Sequence, residues 1–262
     1  MVDPPWIRFL GHSCVLIQMG GHRILTDPVL RGRLAFLARV APTRVELSDL
    51  GEIDVVLLSH LHHDHVDLPS LRQLPRDVPL LVPVGSRDFF QRLGFTHVRP
   101  MPVGSSWQVP GASRPLRITA TPAVHDGRRV PFGPSAESIG FLAESAGTSV
   151  YFAGDTDLFA GMADLHPELD VALLPVWGWG PNLGPGHLDP VRAAEALALL
   201  RPRYAVPIHW GTLFPVGMRR LGRRVSGVLD RPPREFAAAA ARTSPQCRVL
   251  HTEPGEVVEF SP

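Results

Sequence analysis

Lysine is absent from this sequence, so all 26 of its Lys/Arg positions are arginine. Without a lysine amine, Schiff-base catalysis and a lysine general base are excluded. The bias fits a GC-rich coding sequence better than a chemical demand. Cysteine is nearly as scarce: Cys14 and Cys247 are the only two, far apart, and no C-x-x-C occurs. Two such cysteines cannot build a disulfide framework. An excess of one charge is also missing, the formal net charge being +1, which gives no electrostatic footing for nucleic acid. No apolar run reaches the roughly eighteen residues that a membrane span needs. The opening stretch "MVDPPWIRFLGHS" lacks the basic-then-apolar pattern of a secretory signal. The expectation is a cytoplasmic protein acting on a small molecule, with no nucleic-acid partner and no integral membrane association. The sequence is silent on oligomeric state.

Short apolar runs are plentiful: "WIRFL", "CVLIQM", "HRILTD", "DVVLLS", "PLLVP", "LRITAT", "SIGFLAE", "SVYFAG", "DVALLPV", "YAVPI", "CRVLHT" and "EVVEF". Several are bounded by Gly, Pro, Asp or Asn, the punctuation expected of strands. The clearest helix is "DPVRAAEALALLR" at 189–201, with Asp189 as N-cap and Pro190 in the first turn. Val191, Ala194, Leu197 and Ala198 would share its apolar face. Shorter helices are expected around 68–74, 86–93, 157–164 and 234–242. Strands that first dominate and then alternate with helices indicate a mixed α/β protein. The 28 prolines and 24 glycines are dispersed, with no linker and no internal repeat, so residues 1–262 read as a single domain.

Chemistry concentrates in "SHLHHDHVD" at 59–67, where four histidines and two aspartates follow the apolar run "DVVLL". Within it, His60-Leu61-His62-His63-Asp64-His65 has the pattern H-x-H-x-D-H. Imidazole with carboxylate suits zinc, iron or manganese, and no thiolate argues for a structural zinc knot. Donors packed so closely strain around one ion, so two ions sharing the loop are the more natural solution. A plain solvated loop is the alternative, and the rest of the chain discriminates. His125 follows "LRITAT", Asp155 follows "SVYFA" at a Gly-Asp turn, and His209 ends "YAVPI". Loops at strand ends are where α/β proteins place their chemistry.

These landmarks, H-x-H-x-D-H at 60–65, His125, G-D-T at 154–156 and His209, resemble the metallo-β-lactamase fold superfamily. "GHSCVLI", "LTDPV", "GPGHLDP" and "PIHWGT" are similar to the branch containing N-acylphosphatidylethanolamine phospholipase D and ascorbate-6-phosphate lactonase. The resemblance runs from about Gly11 to about Thr212. It implies a four-layer αββα sandwich, with two mixed β-sheets flanked by helices. It also implies one ion on His60, His62 and His125, a second on Asp64, His65 and His209, and Asp155 bridging them. His63, at an "x" position, is not expected to be a ligand.

Several residues stay open at this level. Asp27 is either a carboxylate orienting a ligand histidine or a turn residue before Pro28. His12 reads as a hydrogen-bonded structural histidine. His187, in the Gly/Pro loop before the 189–201 helix, is a substrate contact or proton donor, or else a solvent-exposed loop residue. Arg128 and Arg129 would suit a phosphate, although an exposed surface pair is the favoured reading. Trp177 and Trp179 in "PVWGWG" either wall a pocket or fill the core.

Two divalent ions in such a site, zinc first with manganese or iron as alternatives, would acidify a shared water and polarise a carbonyl or phosphoryl group. Asp64 or Asp155 would accept the proton from the attacking water, and His187 would protonate the leaving group. The expected function is hydrolysis of a small phosphodiester, lactone or ester. The competing readings are a nucleic-acid-processing metallo-ribonuclease of the same fold and a mononuclear-iron oxidative enzyme.

Overall fold

The structure is a computed structural model that describes residues 4–40, 45–111, 114–129, 133–178, 184–217 and 223–261, with backbone alone at 223–226 and 228. Two seven-stranded sheets make up its centre. The first contains β1 (Trp6–Gly11), β2 (Cys14–Met19), β3 (His22–Thr26), β6 (Val55–Leu57), β7 (Leu80–Val82), β8 (Val98–Pro100) and β17 (Val257–Glu259). Its order is β17-β1-β2-β3-β6-β7-β8. The second contains β9 (Ser106–Val109), β10 (Leu116–Pro122), β11 (Ile139–Ser145), β12 (Thr148–Phe152), β13 (Val171–Pro175), β14 (Tyr204–Ile208) and β16 (Arg248–Val249). Its order is β16-β14-β13-β12-β11-β10-β9. In each sheet an antiparallel half adjoins a parallel half; the junctions are at β3–β6 and at β12–β13. Thus the two sheets share a plan that no sequence repeat announced. A third, three-stranded sheet pairs β4 (Arg33–Leu34), β5 (Leu37–Arg39) and β15 (Leu213–Pro215).

Strand alternation explains why the runs look uniformly apolar. On β6, Val55 and Leu57 enter the core between the sheets, beside Phe9, Ile17, Phe141 and Phe152. Val56 and its neighbour Leu58 point the other way, into a second core with Leu10, Leu16, Leu71 and Phe90. A sheet covered on both faces needs apolar residues at every position, not every second one. The outer cover of the first sheet is α1 (Leu68–Leu71) and α2 (Arg87–Arg92). On the second sheet, α3 (Pro190–Leu200) packs against β13 and α4 (Arg223–Thr243). The result is the expected αββα sandwich.

Each expected strand is present; the two-residue and three-residue strands β4, β5, β8 and β15, and the four-residue β9, left no clear run. The expected helix at 189–201 forms with Asp189 capping the Val191 and Arg192 amides at 2.9 Å. Its buried stripe is different: Ala193, Ala194, Ala196, Leu197 and Leu200 are buried, whereas Val191 and Ala198 are exposed. Packing against both a sheet and a helix widens and turns the apolar stripe. The helix expected at 157–164 is only a 3-10 turn at Met162–Asp164. Asp157 there bonds the Leu158 amide and Arg192 instead of opening a helix, and Gly161 takes φ 83°. The last helix starts at Arg223 rather than near 234, with Pro232 and Pro233 inside it; those prolines made its first part look like a loop.

Candidate metal centre

Strand ends from both sheets meet at one cleft. The histidine loop leaves β6, His125 follows β10, Asp155 follows β12, and His209 follows β14. The Gly-Asp turn has a steric reason. Gly154 has φ 61°, and a Cβ there would lie 2.6 Å from the Ser59 Cβ. Only glycine lets the Asp155 turn pack this close to the start of the histidine loop.

Donor atoms within 4.8 Å of one another form overlapping groups: His60, His62 and His125; His12, Asp64, His65 and His209; and His125, Asp155 and His187. His60 Nε2 is 3.1 Å from His62 Nδ1, and His125 Nε2 is 3.2 Å from the same atom. His65 Nε2 is 3.3 Å from His209 Nε2. Asp155 Oδ2 faces both of these, at 3.3 Å and 3.2 Å, while its buried Oδ1 has no hydrogen-bond partner among the described residues. The seven residues expected around metal therefore stand in one cleft, with Asp155 between the two main groups.

The outer nitrogens are already engaged. His65 Nδ1 lies 2.7 Å from Asp27 Oδ2, and His60 Nδ1 lies 3.0 Å from Ser59 Oγ. Ser59 in turn donates its amide and hydroxyl to Asp27, at 2.8 Å and 2.6 Å. His125 Nδ1 donates to the Gly186 carbonyl at 2.8 Å, and His209 Nδ1 donates to the Trp177 carbonyl. With the outward nitrogen carrying the proton, each inward nitrogen is an acceptor. Acceptors facing acceptors at about 3 Å, beside an unpartnered carboxylate oxygen, fit a divalent cation between them.

Local electrostatics of the metal-free cluster divide it into rings that shed the second proton and rings that keep it. Burial and the surrounding rings push His60 well below the usual histidine range, and burial pushes His125 down to about 4. Burial would also lower His65, yet the Asp155 and Asp64 carboxylates outweigh it and hold that ring well above its ordinary value. His65 and His209, joined at Asp64 by His12, overcome burial at Asp64 and Asp155 and keep both carboxyls well below theirs. The cluster is built to hold charge of both signs in a dry place.

His12 has a larger part here than the sequence suggested. It is a hydrogen-bonded, buried histidine, but its Nε2 meets Asp64 Oδ2 at 2.9 Å, and its ring centroid lies 3.8 Å from that of His209. Its carbonyl accepts the His209 amide at 2.8 Å. His12, Asp27 and His209 have φ of 58°, 32° and 64°, left-handed values that are strained for any residue with a Cβ. Such strain collects at functional sites because the surroundings hold it there.

The arginine expectation fails for Arg129. Arg128 is exposed, but Arg129 is buried. It donates from Nη1 to the carbonyls of Leu61 and Val66 at 2.9 Å and from Nη2 to His63 Nδ1 at 2.9 Å. A histidine loop with carbonyls turned inward needs a buried donor, and no local pattern announces which arginine supplies it. His63 itself belongs to none of these donor groups; it is exposed, lines the cavity mouth and is held by that contact. Trp177 is a core residue whose carbonyl orients His209, and Trp179 lies outside the described residues. His187 is half-buried, its ring 4.7 Å from His125, and its Nδ1 has no partner among the described residues.

A cavity of about 700 Å3 opens in front of the cluster, lined by His62, Asp64, Asp155, His187 and His209 among others. A family model described as "Beta-lactamase superfamily domain" matches residues 22–210, which include every residue of the cluster except His12. The chain belongs to the β-lactamase superfamily. Among its superfamily relatives is a metal-dependent hydrolase from Opitutus terrae, 34% identical, which aligns over 97% of this chain and 99% of its own. An N-acyl-phosphatidylethanolamine-hydrolyzing phospholipase D from Caenorhabditis elegans is 28% identical over 80% of this chain; the match spans 64% of that relative's length. A solved metallo hydrolase from the archaeon Ignicoccus hospitalis superposes with a TM-score of 0.72 at 25% identity, covering 99% of both chains. This superfamily member is an enzyme, a metal-dependent hydrolase. Among the described residues, no helix is long and apolar enough to cross a membrane.

Proposed function

We propose that the cleft holds two divalent ions, zinc first, and hydrolyses a small-molecule phosphodiester or a lactone or other ester. The observation that carries this reading is Asp155. One of its oxygens faces His65 and His209, the other is buried without a hydrogen-bond partner among the described residues, and the carboxylate also groups with His125 and His187. A bridging carboxylate has that disposition. His60, His62 and His125 would hold one ion; Asp64, His65 and His209 would hold the other. Bound there, the pair supplies an acidified water and a Lewis-acid pull on the scissile group.

The remaining work falls to side chains. Asp64 and Asp155, both kept ionised by their histidine neighbours, accept the proton of the attacking water. Asp27, Ser59, Gly186 and Trp177 hold the rings in fixed orientations, so little reorganisation is needed at the moment of reaction. His187 faces the cavity beside His125 and is placed to protonate the departing oxygen. The net charge of +1 supports a small-molecule substrate over a ribonucleic acid.

The test is elemental analysis of protein purified without added metal, beside hydrolysis of a generic phosphodiester and a generic lactone. About two equivalents of zinc or manganese with chelator-sensitive hydrolysis is the expected result. One equivalent of iron without hydrolysis would replace this reading with an oxidative one. His187→Ala should keep both ions while turnover falls.

A further inference from the structure

The cavity lining has two chemistries. Opposite in character to the histidines and aspartates are Leu34, Phe36 and Leu37, from the β4–β5 hairpin, and Leu68 with Pro69 at the start of α1. Of the cations that line this part, Arg31 is held by both oxygens of Asp67, at 2.8 Å and 2.7 Å, Arg129 is turned to the carbonyls of Leu61 and Val66, and Arg72 is exposed at the rim.

The hairpin breaks two local rules at once. Leu34 pairs with Leu37, so Ala35 and Phe36 form a two-residue turn. Such turns favour Asn, Asp or Gly, because they demand positive φ. Here Ala35 takes φ 50° in spite of its Cβ. Phe36 then leaves a full aromatic ring 70% exposed. Solvent gives no reason for either choice, and rule-breaking of this kind concentrates where function requires it.

The turn is also held firmly relative to the cluster. Strand β5 pairs with β15, with Phe214 opposite Ala38 and Pro215 opposite Leu37. That strand begins four residues after His209. The Val216 amide donates to the Phe36 carbonyl at 2.9 Å, and the Arg39 guanidinium, buried, donates to the carbonyl of Val29 at 2.9 Å. Val216 adds a second exposed apolar side chain beside the turn. An apolar tip fixed at the rim of a reactive cleft is a wall for the part of a ligand that does not react.

We infer that the β4–β5 hairpin is the specificity element of this hydrolase, and that it takes an apolar alkyl or aryl substituent of the ester between Phe36, Leu34, Leu37 and Leu68. The assignment rests on the hydrolase reading for the identity of the reacting group, but not for the apolar contact. A cavity of about 700 Å3 has room for a chain of about six to ten carbons beyond the reacting centre.

Binding of n-alkylphosphonates, methyl to octyl, to the metal-loaded protein tests this by calorimetry. Affinity should rise about threefold per methylene over the first several carbons. Phe36→Ser, at an exposed position that the fold does not depend on, should cut the octyl-to-methyl affinity ratio about tenfold with metal content unchanged. Phenylphosphonate binding more tightly than hexylphosphonate would assign the slot to aryl groups, and the reverse to alkyl chains. A flat series in the parent protein, or a ratio untouched by Phe36→Ser, would overturn the inference. Hydrolysis of methyl and octyl p-nitrophenyl phosphonates is followed in parallel. Absence of chelator-sensitive turnover on both, and on a generic lactone, would remove the hydrolase reading, while the binding series still decides the hairpin.

Discussion

Asp27 and His65 meet at 2.7 Å, Nδ1 to Oδ2, and neither has any exposed surface. A carboxylate buried this deeply is costly unless its hydrogen bonds are complete. Here the histidine, the Ser59 amide and the Ser59 hydroxyl complete them. One carboxylate thus orients two rings, His65 directly and His60 through Ser59. Asp27→Asn keeps the shape but weakens the acceptor and reorders the protons. Metal affinity should fall about 10- to 100-fold, measured by chelator competition, with the fold intact by circular dichroism. Unchanged affinity would show that the rings are oriented by packing alone.

His12 poses a similar question for Asp64. Its Nε2 contact at 2.9 Å fixes which carboxylate oxygen turns to the cluster, and its backbone carbonyl holds the His209 amide. His12→Gln retains a donor of similar reach, whereas His12→Ala removes it. His12→Ala should release the ion assigned to Asp64, His65 and His209 more readily than the other, and His12→Gln should restore part of the difference. The cobalt-substituted protein reports this through its visible spectrum, apart from any activity. Equal loss of both ions in the two variants would reduce His12 to a packing residue.

Much of this was legible in the sequence, and the reason is local. His60, His62, Asp64 and His65 sit in one loop, and His125, Asp155 and His209 each end an apolar run, so strand pattern and donor chemistry coincide. Asp27 was visible as one of two alternatives, and geometry decides it. What was hidden depends on contacts across the chain. Arg129 reaches back 68 residues to Leu61, and nothing near it in sequence signals burial. His12 reaches Asp64 over 52 residues. Strands β4, β5 and β15 are too short to show a period, so the hairpin carrying Phe36 had no sequence signature.

The Arg129 brace can be separated from the candidate ligands on the loop it supports. Arg129→Ala would strand the buried carbonyls of Leu61 and Val66, at a cost of about 2–4 kcal/mol in denaturant unfolding. His63→Ala, at an exposed position that bonds the Arg129 guanidinium, should cost less than about 1 kcal/mol and leave the metal content of the protein unchanged. If Arg129→Ala were as stable as the parent, the loop would be held by its own turn hydrogen bonds.

Acid should destabilise the metal-free protein in a defined window. His12 and His125 are each pushed down to about 4, chiefly by burial, from an ordinary value of 6.5. His60 and His62 are shifted in the same direction by burial. Between pH 6.5 and 4 the unfolded chain therefore binds protons at these rings that the folded chain refuses, so stability falls as pH falls. At His12 alone the difference is worth roughly 3 kcal/mol. His65 and His209, raised by Asp155 after burial is overcome, have already taken their protons above this window and add a constant. The depressed carboxyls of Asp64 and Asp155 act only below it. Asp27, raised by burial, works in the opposite sense, one group against four. Thermal unfolding of chelator-treated protein should thus show a Tm that drops from about pH 6, where the raised rings have stopped contributing a slope, to pH 4.5. A Tm that holds or climbs across that range would mean that these rings already carry protons in the folded state, which metal binding would then have to displace.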